Sequence, residues 1–332
     1  MYYKSMIDAI GNTPLVKIPF NSPATILAKL EYLNPSGSLK DRSALYMIEQ
    51  AEKKGLLKPG GTIIEASSGN QGISLAMMGV LKGYKVIITV SEKCSKEKYQ
   101  TLKAYGAQVI VCPVTEFIDD PRSYHPQAQK LLKETPGAFM PDQYFNIENR
   151  WGHYTLLGPE IWEQTEGKIT HYFAGLGTGG TASGAGQYLK EQNPNIKVIG
   201  IDSESSFRAT KGNPKPYKIE GIGVDFISNV INYNVIDEII EMNDSEAISA
   251  LKILAHTYGL LGGPATGAVA AGVMRKLSEL KEGDMAVMVC GDSGRAYLSK
   301  NFFGKEDETV FPTSPTQVLP RRQDGGNLST KS

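Results

Sequence analysis

The chain has 332 residues, with 35 basic and 35 acidic side chains and a formal net charge of zero. This balance gives no electrostatic reason to expect nucleic acid or a membrane as a partner. No apolar run is long enough for a membrane span, and the N-terminus lacks a signal-peptide apolar region, so we expect a cytoplasmic protein. The three cysteines are far apart and the four histidines lack metal-ligand spacing, so the sequence predicts neither a disulfide framework nor a metal site.

The first informative segment joins a predicted strand, 24–31, to a predicted helix, 43–54. Pro35 and Gly37 interrupt the regular structure between them, which places Lys40 at a strand-to-helix junction. An amine near a helix N-terminus lies at the positive end of the macrodipole, and this favours its neutral form. The neutral amine is the form that attacks a carbonyl to make a Schiff base. Considered alone, however, Lys40 would be an ordinary surface lysine in a first helical turn.

Two glycine-rich segments follow predicted strands further along the chain. The first, 65–72, carries hydroxyl and amide side chains and opens a predicted apolar helix, an arrangement suited to a carboxylate. The second, 174–181, contains successive glycines that allow backbone N–H groups to surround a phosphate at a helix start. Either segment alone could equally be a tight turn that closes a βα unit.

The second segment also fits another binding motif. Residues 175–180 satisfy G-x-G-x-x-G, and Asp202 follows about twenty residues later, at the end of the next predicted strand. This is the fingerprint of an NAD-binding Rossmann oxidoreductase, in which the acid binds the ribose. The alternative leaves Lys40 and the segment 65–72 without a role.

Strand and helix signals alternate along most of the chain. Short β-branched runs are predicted as strands at 62–65, 85–89, 109–112, 171–175, 197–202 and 285–290. This alternation predicts an α/β fold of two lobes, each an open, mostly parallel twisted sheet covered by helices, with a cleft at the strand ends. Proline and polar residues after Lys305 predict a loosely ordered tail over 306–332.

Lys40 and the two glycine-rich segments together resemble the pyridoxal-phosphate enzymes of the cysteine synthase and cystathionine β-synthase family, which have fold type II. Six landmarks stand in the family's order, at 11–15, 38–42, 68–70, 177–181, 220–223 and 292–299. The likeness extends from about residue 10 to about residue 303. It implies pyridoxal 5'-phosphate as cofactor, a homodimer, a large lobe formed by 1–42 and 147–305, and a small lobe formed by 43–146.

The resemblance also assigns roles to individual positions. Lys40 would carry the cofactor as a Schiff base and, once released by the substrate, take the Cα proton. Loss of the β-substituent would leave an aminoacrylate, to which a second nucleophile adds. Expected cofactor contacts are Lys40, Asn70, Gly177, Thr178, Gly179, Gly180, Thr181 and Thr266. Expected substrate contacts are Ser67, Ser68, Gly69, Gln71, Gln143, Tyr217 and Gly221.

One position departs from the family pattern. The family usually places a serine hydroxyl opposite the pyridine nitrogen, and the aligned residue here is Ala265, with a hydroxyl only on the neighbouring Thr266. Either a small backbone shift lets Thr266 serve, or the ring nitrogen lacks a direct partner.

The substrate pair is predicted from the segment 217–226, which looks more like the cystathionine β-synthase branch because an acid precedes the glycines and Asp-Phe follows them. Glu220 is expected to be catalytic, since an acid over the cleft could protonate the hydroxide that leaves serine. Against this, Val224 stands where the eukaryotic branch has tyrosine. We expect β-replacement by a thiol on serine, activated serine or cysteine, with L-serine plus L-homocysteine giving L-cystathionine. The alternative is cysteine synthase, from O-acetyl-L-serine and sulfide, and use of cysteine as donor would release hydrogen sulfide.

Overall fold

The computed structural model describes residues 2–67, 69–115 and 120–304, so the predictions made for Ser68 and for the tail 306–332 lie outside the described residues. Its strands are β1 Leu15–Lys17, β2 Thr25–Leu30, β3 Thr62–Ala66, β4 Lys85–Ser91, β5 Gln108–Cys112, β6 His171–Gly175, β7 Lys197–Ser203, β8 Glu238–Met242 and β9 Met285–Cys290. Its α-helices are α1 Lys40–Lys53, α2 Asn70–Lys82, α3 Lys96–Ala104, α4 Tyr124–Glu134, α5 Glu148–Gln164, α6 Gly180–Gln192, α7 Asp244–Tyr258 and α8 Pro264–Lys276.

A six-stranded sheet forms the larger layer, in the order β1-β2-β9-β6-β7-β8. The pairs from β2 to β8 are parallel, and only β1 runs antiparallel to its neighbour β2. Side chains alternate between its two faces, as a pleated strand requires. Phe173 packs with the helices α7 and α8, whereas the adjacent Tyr172 packs with α5 and α6. The sheet is therefore buried on both faces.

A separate three-stranded parallel sheet, β3-β4-β5, forms the smaller layer. Helices α1, α2 and α3 cover one face of this sheet, and α4 covers the other. Two open, mostly parallel sheets covered by helices confirm the predicted fold class. The ends of β3 and β6, which carry the two glycine-rich segments, lead directly into α2 and α6.

The predicted elements are present, with small differences at their ends. Helix α1 begins three residues earlier than predicted, so that Lys40 is its first residue rather than a loop residue before it. Helix α2 begins at Asn70, which places Asn70 and Gln71 of the first glycine-rich segment in its first turn. The strands β1 and β8 and the helices α4, α5, α7 and α8 were not predicted from the sequence.

One polar contact holds the segment that carries Lys40 against the larger layer, and another joins α3 of the smaller layer to the larger layer. The backbone N–H of Leu39 donates to the carbonyl of Gly291 at 2.8 Å. On the other side, the hydroxyl of Ser95, which caps α3, donates to the carbonyl of Ala296 at 2.7 Å. In the described part of the chain, no helix has the length and apolar character needed to cross a membrane.

Candidate active site

Lys40 is half-buried at the first position of α1. Burial lowers the pKa of its amine to about 8, although the nearby charges of Asp292 and Glu65 act in the opposite direction. The shift has the direction expected for a nucleophilic lysine, because a larger share of the amine is neutral near neutral pH.

A buried ionic cluster fixes the helix that carries Lys40. The guanidinium of Arg42 donates to both oxygens of Glu31, at 2.7 and 2.8 Å, and to both oxygens of Glu160, at 2.8 and 3.0 Å. The ammonium of Lys29 pairs with Glu160 and donates to the carbonyl of Thr13 at 2.6 Å. The cluster ties β2, α1, α5 and the N-terminal segment together directly beneath the start of α1.

The glycine-rich turn 177–181 is too tightly enclosed to accept side chains at its glycines. A β-carbon at Gly177 would lie 2.6 Å from the carbonyl oxygen of Gly221, and one at Gly179 or Gly180 would collide with Ile231 or Asn149. Gly179 also has a φ of +86°, in the left-handed region that glycine adopts without strain. The turn therefore presents bare backbone at the N-terminus of α6, as phosphate binding requires.

Helix α5 supports this turn from behind. The ring of His153 lies 3.3 Å from the hydroxyl of Thr181, and burial, together with the charges of Lys40 and Arg42, holds its pKa well below the ordinary value. The imidazole is therefore neutral at physiological pH. One turn earlier, the amide of Asn149 donates to the carbonyl of Gln143 at 2.7 Å. A single helix thus positions both the glycine-rich turn 177–181, which is predicted to bind the phosphate, and the residue predicted to bind the substrate carboxylate.

The first glycine-rich segment is organised by the buried hydroxyl of Ser67. Its oxygen accepts from the backbone N–H groups of Gly69, at 3.1 Å, and Gly72, at 3.0 Å. Gly69 has a φ of +145° and packs against the alkyl chain of Lys98. Gln71 is buried, and its amide nitrogen has no partner among the described residues. The segment therefore has a preformed backbone and unused amide hydrogens at the start of α2, consistent with the predicted anion site.

A chain of hydrogen bonds joins Asn70 to Glu220 across the two lobes. The amide of Asn70 donates to Asp292 at 2.7 Å, and Asp292 accepts from the hydroxyl of Tyr297. Lys98 donates to the oxygen of Tyr297 at 2.8 Å and to Glu220 at 2.9 Å. Asn70 and Glu220, which the sequence predicted as separate contacts, therefore belong to one connected network.

Glu65 is buried at the end of β3, where its carboxylate accepts the backbone N–H of Asp142 at 2.8 Å and, more weakly, that of Gln143 at 3.4 Å. Burial and the charge of Asp142 raise the pKa of Glu65 to about 8, against the effects of these bonds and of Lys40. Glu65 thereby links Lys40 to the loop that carries Gln143.

The hydroxyl of Thr266 is buried in the first turn of α8 and has no hydrogen-bond partner among the described residues. A β-carbon at Gly262 would lie 3.0 Å from its oxygen. The half-exposed neighbour Ala265 instead faces Gly221: a β-carbon added at Gly221 would lie 3.0 Å from the β-carbon of Ala265. Position 265, rather than 266, thus borders the segment that closes over the phosphate turn.

The arrangement fits pyridoxal phosphate and does not fit a dinucleotide. It combines an amine of lowered pKa with a glycine cradle at a helix N-terminus. Asp202, the acid of the alternative motif, accepts from Ser206 and Arg208, both at 2.7 Å, and from the backbone N–H of Ser203 at 2.9 Å. Asp202 is also buried, so its carboxylate is engaged by its own chain and is not presented to a ribose. Throughout 2–67, 69–115 and 120–304, no three His, Cys, Asp or Glu side chains are grouped as metal ligands.

Sequence reasoning missed several residues of this site. Lys98 is one of many lysines, and Asn149 lies in a helix that was not predicted, so neither carried a distinguishing signal. Asp292 and Tyr297 stood in a quoted landmark without a role. Glu65 was recorded only as the start of the first glycine-rich segment; its position at the end of an apolar strand was a signal that could have identified it.

Comparison with known proteins agrees with this geometry. The chain is 44% identical over 311 residues to a cystathionine β-synthase of Apis mellifera, covering 90% of this chain but only 62% of that protein. It is 40% identical to a cysteine synthase of Staphylococcus aureus, covering 91% of this chain and 98% of that protein. The crystal structure of an O-acetylserine-dependent cystathionine β-synthase from Helicobacter pylori superposes with a TM-score of 0.85 and 38% identity, covering 91% and 99% of the two chains. The family model of pyridoxal-phosphate-dependent enzymes matches residues 6–291, and the chain belongs to that family.

Proposed function

We propose that this protein catalyses β-replacement on L-serine by the thiol L-homocysteine, giving L-cystathionine. The observation that carries the proposal is the network that joins Asn70 to Glu220 through Asp292, Tyr297 and Lys98. It holds a carboxylate and an ammonium together in the cleft, where a poor leaving group would need a proton. The segment 217–226, which is of the cystathionine β-synthase type, and the similarity to the Apis mellifera protein support cystathionine as the product. The Helicobacter pylori cystathionine β-synthase depends on O-acetylserine, so its similarity supports the product and favours O-acetylserine over serine as the donor.

Each residue of the site has a task in this reaction. Bound pyridoxal phosphate supplies an electron sink that weakens the bonds at Cα and Cβ of the amino acid. The amine of Lys40 carries the cofactor and takes the Cα proton. Gln143, with the segment 67–71, would bind the α-carboxylate. The turn 177–181 would hold the phosphate of the cofactor, and Asn70 would contact its ring. Thr266 would serve the ring nitrogen only after a local shift of α8.

Glu220 is the proposed proton donor to the leaving oxygen. It accepts a hydrogen bond from Lys98 at 2.9 Å and forms an ion pair with Lys300 at 3.2 Å, so a proton can pass along this group of charges to an oxygen placed beside it. Serine loses hydroxide, which must be protonated as the Cβ–O bond breaks, whereas acetate leaves O-acetylserine without that help. Tyr217 and Gly221 flank Glu220 in the chain and would border the substrate.

Cysteine synthase activity is the second candidate. It is favoured by the Staphylococcus aureus cysteine synthase, which the chain matches over 98% of its length. In this case O-acetyl-L-serine would be the donor and sulfide the nucleophile, and Glu220 would have no acid role. Release of hydrogen sulfide from cysteine would accompany either activity if cysteine replaced serine as donor.

The test compares donors in wild type and in Glu220→Gln. Purified protein is mixed with L-serine, O-acetyl-L-serine or L-cysteine, then with homocysteine or sulfide, and the products are identified by mass. The variant should turn over serine about 10²- to 10⁴-fold more slowly, the usual contribution of a general acid, and O-acetylserine nearly as before. Glu204→Gln, which removes an exposed carboxylate from the same lobe, should change neither rate.

Two results would contradict the proposal. Equal slowing of both donors in Glu220→Gln would make Glu220 a binding or structural residue. Turnover of O-acetylserine with sulfide, and none of serine with homocysteine, would establish the cysteine synthase reaction instead.

We also propose that the protein is a homodimer and that residues 43–146 move as one lobe. Sedimentation velocity of the protein with bound cofactor should give the mass of two chains; a single-chain mass would contradict the dimer. Small-angle X-ray scattering of the protein with bound cofactor should show a more compact particle when substrate is added, whereas an unchanged radius of gyration would contradict movement of the lobe.

A further inference from the structure

We propose that Asp225 binds the ammonium group of the incoming amino-acid thiol and thereby selects an amino thiol over sulfide as the nucleophile. The inference rests on the proposed β-replacement and adds to it a recognition site for the second substrate. The structural basis is an exposed carboxylate that is held in place from both sides, beside the predicted binding loops.

The backbone around Asp225 is anchored to two of those loops. The carbonyl of Val224 accepts from the N–H of Phe207 at 2.8 Å, and the ring of Phe226 packs edge-on against Tyr144, with centroids 5.0 Å apart. Ser228 donates to the carbonyl of Thr178 at 2.7 Å and contacts that of Tyr144 at 3.0 Å. The segment therefore bridges the phosphate turn and the loop of Gln143, and Asp225 lies between its anchors.

The carboxylate of Asp225 is exposed, and no hydrogen bond to it is formed within the described ranges. The nearby charge of Lys93 acts on it, but the two groups do not form an ion pair. Its charge also acts on two half-buried phenols. Burial is the main cause that raises the pKa of Tyr217, and the charge of Asp225 is the second. The same two causes, in the same order, raise the pKa of Tyr124 to about 12.

Such a group distinguishes the two possible nucleophiles by charge. The raised pKa values keep the phenols of Tyr217 and Tyr124 neutral, so they can donate hydrogen bonds but cannot neutralise a cation. The carboxylate of Asp225 can. An amino-acid thiol carries an ammonium group that pairs with a carboxylate through charge-assisted hydrogen bonds. Hydrosulfide carries no cation, and its negative charge is repelled by a neighbouring carboxylate. A free carboxylate at this position therefore favours homocysteine and disfavours sulfide.

The test uses the protein with bound cofactor and thiols that differ only in the amine. Homocysteine is compared with 4-mercaptobutyrate, and cysteamine with 2-mercaptoethanol, at a saturating concentration of the donor that wild type accepts. In Asp225→Asn, kcat/KM for the two amino thiols should fall on the order of ten- to a hundredfold, as expected for loss of a hydrogen bond to a charged group. The values for the two amine-free thiols should change less than twofold, and that for sulfide should rise. Glu204→Gln should leave all five values unchanged.

The outcomes separate this inference from the proposed function. An equal loss for all thiols, or no loss for any, would overturn the role of Asp225. The donor half-reaction tests β-elimination by itself. It is followed without thiol, as release of acetate or as a donor-dependent absorbance change. If no donor reacts, the proposed function is rejected instead. Wild type provides a check independent of folding in the variant: equal kcat/KM for homocysteine and 4-mercaptobutyrate would also overturn the inference.

Discussion

Replacement of Glu160 by glutamine should destabilise the protein by about 3 kcal/mol at neutral pH. Glu160 is 12% exposed and lies against the fully buried Lys29 and the nearly buried Arg42. Burial opposes ionisation of its carboxyl, but hydrogen bonds and charges from Arg42 and Lys29 outweigh this and lower its pKa from 4.5 to about 2. This lowering of the pKa corresponds to about 3 kcal/mol of folding free energy. Breaking a buried ion pair typically costs about 3–5 kcal/mol, which agrees with this value.

The pH dependence of this effect has a definite sign. Because the folded-state pKa lies below the unfolded value of 4.5, the contribution of Glu160 is fully present above that pH. It is lost as the pH falls from 4.5 towards 2, when the folded carboxylate becomes protonated. The difference in stability between wild type and Glu160→Gln should therefore be constant near neutral pH and shrink in acid.

Urea unfolding followed by circular dichroism, at pH 7 and pH 4, measures both quantities. Glu163→Gln is the matched control, because Glu163 is an exposed residue on the same helix, and its effect should stay within about 0.5 kcal/mol. A loss below about 1 kcal/mol in Glu160→Gln, or a loss equal to that of the control, would refute the reasoning that the cluster around Arg42 fixes the start of α1.

Two further predictions concern the cofactor. The rate at which apoprotein binds pyridoxal phosphate, measured by its visible absorbance, should rise with pH through about 8, because the Lys40 amine loses its proton there. A flat profile between pH 7 and 9 would contradict this. Lys40→Ala should show no covalent band at any pH. Gly179→Ala should weaken cofactor binding, measured by fluorescence titration, more than Gly137→Ala does. Both glycines have a positive φ, but only at Gly179 would the new β-carbon collide with another residue, Ile231. Equal affinities in the two variants would argue against a tight phosphate site.

The positions of Lys40 and of the two glycine-rich segments could be predicted from the sequence because the chain itself determines them. Glycine permits the left-handed conformation at Gly179, and an apolar strand followed by glycine and a helix places backbone N–H groups at a helix start. The alternating pattern of strands and helices likewise predicts parallel sheets, since each parallel connection needs a crossover. These are properties of neighbouring residues, so one sequence contains them.

Only the tertiary structure decided how these segments are connected. Asn70 meets Asp292 across 222 positions, and Lys98 meets Glu220 across 122, contacts that no local pattern encodes. The same holds for Asp202, whose spacing fitted a ribose-binding acid until Arg208 and Ser206 were seen to occupy it. The roles of such polar side chains depend on which partners the folded chain brings within hydrogen-bond distance, and these partners lie far apart in the sequence.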